Sequence, residues 1–428
     1  MVNGQLGKNF GLRVGSPQLR NPDSLSIHTH LLASERADRA DRYVPETGGA
    51  MTKSIKDTLA RKSFWTATAF YIVIGFEFLY MAGPFGAYFY SIYGPGLNFF
   101  NETPPFSWLT RFFMPHIVVE TSSVFINWHN AVGASLAVLG FAAFLAGASQ
   151  VYYNKLTKKG PVTGGVYRII RHPQYGSFAV SGFGLLLLWP RYIVLVMFIT
   201  MLFGYYWLAK VEERECEDKY GQSYRDYKKA TSMFIPFPLF LRGQPCLPGS
   251  GWKRKCSQAI LYTLAIAVCI TWARIIETHS LNSLYTYSTA DSVTVSVVKI
   301  SPETLKTIVA TALSNEDVRK RLMKHGQGAH YLNYVLPTKW YVSEVPMQTG
   351  EGFYHSQPGD YDRNLYKIIF TRVDLRRADY QDATGFLRRV TRRVPVAEVW
   401  IDMGRNRVIE AKEPSPAIRY ENIPVAIY

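Results

Sequence analysis

The chain is poor in cysteine. Cys216, Cys246, Cys256 and Cys269 are the only four among 428 residues. They show neither a CxxC spacing nor a metal-site pattern, so neither a disulfide framework nor a zinc cluster is expected. No cysteine follows Cys269, which is compatible with an extracytoplasmic C-terminal region. The extreme N-terminus lacks an apolar stretch, so no ordinary cleaved signal peptide is expected. Acidic residues are also scarce: 32 Asp and Glu face 48 Lys and Arg, a formal charge of +16. Such a surplus can mark nucleic-acid binding. Here the basic residues cluster beside apolar segments, where anionic lipid and the positive-inside rule account for them, and no nucleic-acid partner is expected.

What the chain does have is apolar and aromatic residues, 48% and 14% of the total, beneath a mean hydropathy of only -0.04. That average fits a membrane half joined to a polar half. The expected fold is a mainly α-helical multi-pass membrane protein, with about five transmembrane helices, carrying a C-terminal soluble α+β domain. Residues 1–62 read as a flexible cytosolic arm ending in an interfacial segment, 63–245 as a membrane core, 246–280 as a linker and additional transmembrane helix, and 281–428 as the soluble domain.

Along the chain, spans are expected at 64–93, 131–153, 177–189, 192–209 and 257–276. Glu77 is expensive in the first unless it faces protein or a partner, and Gly83, Pro84 and Gly86 should kink or end that helix. Residues 112–130 are interrupted by Pro115, His116, Glu120 and Asn127 and read as interfacial or re-entrant. Small residues such as Gly133, Gly140 and Gly147 suit close helix packing. The segments 177–189 and 192–209 form a helical hairpin with its tip at Pro190, which puts 160–175 and 210–236 on one side. With the basic flanks inside, an odd number of spans leaves the C-terminal domain outside. In that domain, 292–300, 364–375 and 396–413 read as strands, the last a hairpin turning near Gly404, Arg405 and Asn406. Helices follow Ser301 and Pro302.

The two ends of the hairpin carry complementary chemistry. One offers Arg168, Arg171, His172 and Tyr175, with Pro173 stiffening the backbone. The other offers Glu212, Glu213, Glu215 and Glu217, then Tyr220, Tyr224 and Tyr227. A ligand with a carboxylate, an ammonium and hydroxyls would match such a set. The same acid and base pairs could equally do no more than clamp the hairpin.

The order GPVTGGVYRIIRHPQY, apolar hairpin, EERECEDKYGQSYRDYKK, SMFIPF resembles the signature of the integral-membrane methyltransferase superfamily, which includes isoprenylcysteine carboxyl methyltransferases and phospholipid N-methyltransferases. The resemblance covers about residues 131–240. It implies a cytosol-facing S-adenosylmethionine pocket and methyl transfer to a lipid or a small membrane-embedded acceptor arriving from the bilayer. Carried over, Arg171, His172, Pro173 and Tyr175 border the cofactor, with Arg168, Tyr224 and Tyr227 as further binding residues. Glu212, Glu213 and Arg171 stand at the reacting centre, and no metal is implied. The polar ERECED and Met233–Phe234 depart from the family pattern, as do the long arm and the outer domain. These additions favour an alternative, a non-catalytic scaffold or accessory subunit of a membrane complex, with partners docking on the C-terminal domain. A transporter is disfavoured by the few spans and the lack of paired broken helices. With no eukaryotic targeting or retention signal evident, the expected location is the bacterial inner membrane, N-terminus cytosolic and C-terminal domain extracytoplasmic.

Overall fold

In a computed structural model the protein is described at residues 47–93, 96–157, 162–235, 251–324, 326, 328–342, 344, 345, 347, 361–377, 379–414 and 426–428. The arm before Thr47, the linker 236–250 with Cys246, and residues 158–161 lie outside the described residues, as does the side chain of Glu77. The chain divides into two compact units, 1–75 and 76–428.

Helix α1 (Thr47–Tyr93) runs through Gly83, Pro84 and Gly86 without ending there, and the segment expected to be interfacial is continuous with it. Helix α2 (Gly96–Glu102), a 3₁₀ turn (Ser107–Thr110) and an irregular stretch lead to α3 (Val124–Leu156), capped when Ser123 accepts from the Ile126 N–H. Helix α4 (Pro173–Leu188), α5 (Tyr192–Tyr220), α6 (Gln222–Ala230) and α7 (Trp252–Asn282) follow. Among the described residues, four helices are long and apolar enough to cross a membrane: α1 over Arg61–Gly86, α3, α5 and α7. The fifth expected span differs. Helix α4 has 16 residues, about 24 Å at the α-helical rise, against a hydrocarbon core of roughly 30 Å.

What α4 lacks in length it makes up in packing. It lies antiparallel to α3 along three glycines: Gly133 abuts Gly184 and Leu187, Gly140 abuts Ser177 and Ser181, and Gly147 faces Pro173 and Gln174. A side chain at Gly140 would meet the Ser181 backbone at 2.5 Å, so only glycine lets the two backbones approach this closely. The Tyr88 hydroxyl of α1 donates to the Gly182 carbonyl at 2.5 Å. Phe85, Phe144 and Phe178 stack beside it, with Phe144 and Phe178 centroids 3.8 Å apart. Outward faces expose Val138, Leu139, Ile260, Leu264 and Trp272, as a lipid-facing surface does.

The described residues of the C-terminal domain form a six-stranded sheet in sequential order, β1 (Thr286–Ser288), β2 (Ser292–Ser296), β3 (His330–Pro337), β4 (Leu365–Leu375), β5 (Val390–Asp402) and β6 (Arg407–Lys412). All neighbours are antiparallel except β2 and β3. That parallel pair needs a crossover, supplied by α8 (Pro302–Ser314) and α9 (Glu316–Met323), and α10 (Ala383–Arg389) precedes β5. Val293, Val295, Leu305, Ile308, Leu332 and Val399 lie in one core.

Residues 112–123 are not helical and join the two halves. Phe112, Ile117 and Val118 belong to the core of the sheet domain, Phe113 and Met114 to that of the helices. The N–H groups of His116 and Ile117 donate to the Tyr428 carbonyl, and that of Val119 to the Val297 carbonyl at 3.0 Å. The Phe113 N–H donates to the Pro190 carbonyl at 2.8 Å, so the hairpin tip and the sheet domain share one end of the helical bundle. The polar ends of the hairpin lie at the other.

Candidate functional site

At that far end, main chain joins the two polar sequences before any side chain does. Ile170 bridges Ser232, the Arg171 N–H donates to the Ser232 carbonyl at 2.8 Å, and the His172 N–H donates to the Met233 carbonyl at 3.1 Å. Pro173 opens α4, and His172 before it has φ −124° and ψ 63°, outside the helical region as a residue preceding proline tends to be.

Arg171 and Glu213 form the buried centre. The Arg171 Nε donates to Glu213 Oε1 at 2.8 Å, and its Nη1 donates to the carbonyls of Lys228, at 2.8 Å, and Thr231. Glu213 is 1% exposed and also meets Lys228 Nζ at 3.0 Å and Lys210 Nζ at 3.6 Å. A carboxylate so far from water is tolerated only with such compensation. Lys228 continues to Glu217 at 2.6 Å. Burial works against its charge, but Glu217 and Glu213 outweigh that effect and raise its pKa above the usual lysine value.

Glu212 faces elsewhere, because adjacent helical residues are turned by about 100°. Its Oε1 accepts from the Tyr175 hydroxyl, and its Oε2 lies 3.3 Å from His172 Nδ1. Its side chain is 37% exposed, which makes it the accessible carboxylate of the pair. The Tyr175 ring is stacked 4.6 Å from Tyr205 and 5.6 Å from His172. His172 Nε2 stands 3.7 Å from Glu213 Oε1 and has no hydrogen-bond partner. Burial disfavours the imidazolium, but the contact with Glu212 and the negative charge of Glu212 and Glu213 prevail, and the pKa rises above the ordinary 6.5.

The site thus gathers Arg171, His172, Pro173, Tyr175, Glu212 and Glu213. Tyr224 and Tyr227 pack against each other, 5.7 Å between centroids, and the Tyr227 hydroxyl donates to the Tyr167 carbonyl at 2.7 Å. They hold α6 against the 3₁₀ turn Gly165–Arg168. Arg168 is exposed on that turn, with no hydrogen bond or ion pair to the described residues. The sequence reading missed Lys210, Lys228 and Tyr205. Lys210 was within reach of it, since it stands three residues before Glu213 on one helix. Among the described residues, no group of three or more His, Cys, Asp and Glu side chains could hold a metal ion.

A half-open carboxylate beside a phenol, next to a buried imidazole nitrogen without a hydrogen-bond partner, can take a cationic or hydroxyl-bearing ligand. Residues 128–223 match the family model of phospholipid methyltransferases, a stretch containing α4, α5 and both polar ends up to Gly221. No curated protein and no solved structure matches the chain. The match supports a methyltransferase-like region within an integral membrane protein.

Proposed function

We propose that the protein is an S-adenosylmethionine-dependent methyltransferase acting on a lipid or a small membrane-embedded acceptor. The observation that carries this reading is the closure of Arg171–Tyr175 onto Glu212–Glu213, inside the segment similar to phospholipid methyltransferases.

The donor set fits such a cofactor, because Glu212 presents a partly exposed carboxylate and His172 Nε2 is buried without a hydrogen-bond partner. Glu212, Tyr175 and His172 would hold it, with Arg168, Pro173, Tyr224 and Tyr227 at the border of the pocket. The cofactor supplies a methyl group already activated on a sulfonium, so the protein needs no nucleophile of its own. Arg171 and Glu213 keep the two motifs in register and leave Glu212 to offset positive charge in the site. For an amine acceptor, the Glu212 carboxylate takes the proton that the nitrogen loses, and the His172 imidazole, whose Nδ1 is 3.3 Å from Oε2, orients that carboxylate. A carboxylate acceptor needs no base. Exposed Val166, Ile169 and Ile235 beside the site would meet the bilayer, from which the acceptor enters. On this reading the site faces the cytosol and the sheet domain lies outside, in the bacterial inner membrane.

One observation favours a second reading, a non-catalytic scaffold: the carboxylate of Glu213 is fully compensated by the chain's own cations. The readings separate when detergent-purified protein is titrated with S-adenosylmethionine and incubated with membrane lipid. The enzyme binds the cofactor and releases S-adenosylhomocysteine. A well-folded preparation that does neither, while co-purifying with a stoichiometric membrane partner, would be the scaffold.

A further inference from the structure

The opposite end of the bundle holds a second concentration of charge. Arg111, Arg274 and Arg388 converge where the 3₁₀ turn, the end of α7 and α10 meet, with Arg376 beside Arg111, and among the described residues the carboxylate set against them is that of Glu277, 3% exposed. The Glu277 Oε2 is 3.2 Å from Arg274 Nη1 and accepts from the Tyr192 hydroxyl at 2.7 Å, while its Oε1 is 4.0 Å from Arg388 Nε. Arg111 donates to the Arg388 carbonyl, and Arg376 donates to Ser107 Oγ. Burial, and then the neighbouring Arg376, lower the pKa of Arg111. Among the described residues Glu277 alone does not balance these guanidiniums, and Arg388 Nε has no hydrogen-bond partner there.

The surroundings are those of a membrane surface. Trp272 and Ile275 flank Arg274 on α7 and are 62% and 54% exposed, and Phe99 and Phe106 are exposed near the 3₁₀ turn. Exposed aromatics beside arginines at a helix end mark the headgroup level of a bilayer. The Arg274 guanidinium lies over the Tyr192 ring, 4.7 Å from its centroid, so its orientation is set before any ligand arrives.

We propose that this cluster binds the phosphate of an anionic phospholipid headgroup, whose acyl chains run along the Trp272 and Ile275 face of α7, and that the bound lipid joins the sheet domain to the helices. Guanidinium forks suit phosphate oxygens, and the apolar flank favours a lipid over a phosphate in free solution. The site is at the far end of the bundle from Glu212, and the inference does not depend on the chemistry there.

The test is native mass spectrometry of the full chain, delipidated in mild detergent and offered phosphatidylglycerol, phosphatidylcholine or inorganic phosphate. Phosphatidylglycerol should be retained selectively, and Arg376→Gln and Arg274→Gln should each weaken retention roughly fivefold, the worth of one arginine near an anionic surface. Arg405→Gln, on the β5–β6 turn, should change nothing. Glu277→Gln removes the carboxylate that pairs with Arg274 and Arg388 and should strengthen retention, where a purely structural cluster would show no gain. Equal retention of both lipids, or retention unchanged in both arginine variants, would overturn the proposal. Inorganic phosphate displacing the lipid at comparable concentration would overturn the assignment to a lipid headgroup.

Discussion

Arg171 Nε and Glu213 Oε1 meet at 2.8 Å across 42 residues of sequence, and both side chains are almost wholly removed from solvent. The pair joins the residue before the His172–Pro173 step to the cytosolic-side end expected for α5. Removing either partner leaves a buried charge without its main counterion. Glu213→Gln or Arg171→Ala should therefore cost about 3–5 kcal/mol, seen as a lowered melting temperature in detergent with no ligand present.

Glu212 should behave in the opposite way. Its carboxylate is more than a third exposed, so Glu212→Gln should lower the melting temperature far less than Glu213→Gln does. Its charge-assisted contacts to a bound cation would be lost, weakening cofactor binding by about 1.5–3 kcal/mol. Isothermal calorimetry on the same preparations measures both variants. If Glu213→Gln weakens binding without destabilising the fold, the division of labour between the two glutamates is reversed.

The α3–α4 contact makes a prediction of its own. A methyl group at Gly140 would meet the Ser181 backbone at 2.5 Å, and one at Gly184 would meet the backbone of Ala137, whereas at Gly147 the nearest atom is 3.7 Å away. Gly140→Ala and Gly184→Ala should each destabilise by about 1–3 kcal/mol, the usual cost of overpacking, and Gly147→Ala should be tolerated. Three variants of equal stability would show that the helices are not held by this close approach.

His172 gives the site a pH dependence of definite sign. Its folded pKa lies above the ordinary 6.5 because Glu212 and Glu213 outweigh burial. The stabilisation is therefore complete below 6.5 and lost as the pH rises through the raised folded value. The Gly176 N–H, which donates to the His172 carbonyl at 3.2 Å, should lose hydrogen-exchange protection over that window after correction for the intrinsic rate. In His172→Gln the dependence should be flat.

Several features were legible in the sequence because local chemistry decides them. The Trp189–Pro190–Arg191 tip separates α4 from α5. Ser301 accepts from the Thr304 N–H as Pro302 opens α8, and Asn406, with φ 47°, turns the last hairpin. Strand β3 was not legible. Its last six residues are buried without alternation, and Asn333 interrupts the apolar run while donating to Thr294 Oγ1 at 3.0 Å. Tertiary contact, not periodicity, makes that strand. The segment 112–130 read as interfacial or re-entrant because Pro115, His116, Glu120 and Asn127 interrupt it, although its last seven residues open α3. Its use as the join between two cores depends on partners as distant as Val297 and Tyr428. At the site, the Arg-His-Pro and Glu-Glu motifs stood out as rare patterns, but neighbouring glutamates on a helix point apart. Their separate surroundings emerge only once Lys228 and Tyr175 are placed.

The central claim is that Glu212, Tyr175 and His172 form a methyltransferase cofactor site, and titration calorimetry with S-adenosylmethionine on the detergent-purified chain tests it most directly. The account predicts saturable binding that falls roughly ten- to a hundredfold in Glu212→Gln while the variant keeps a cooperative thermal transition. Absence of binding by a wild-type preparation with an intact, cooperative thermal transition would contradict it.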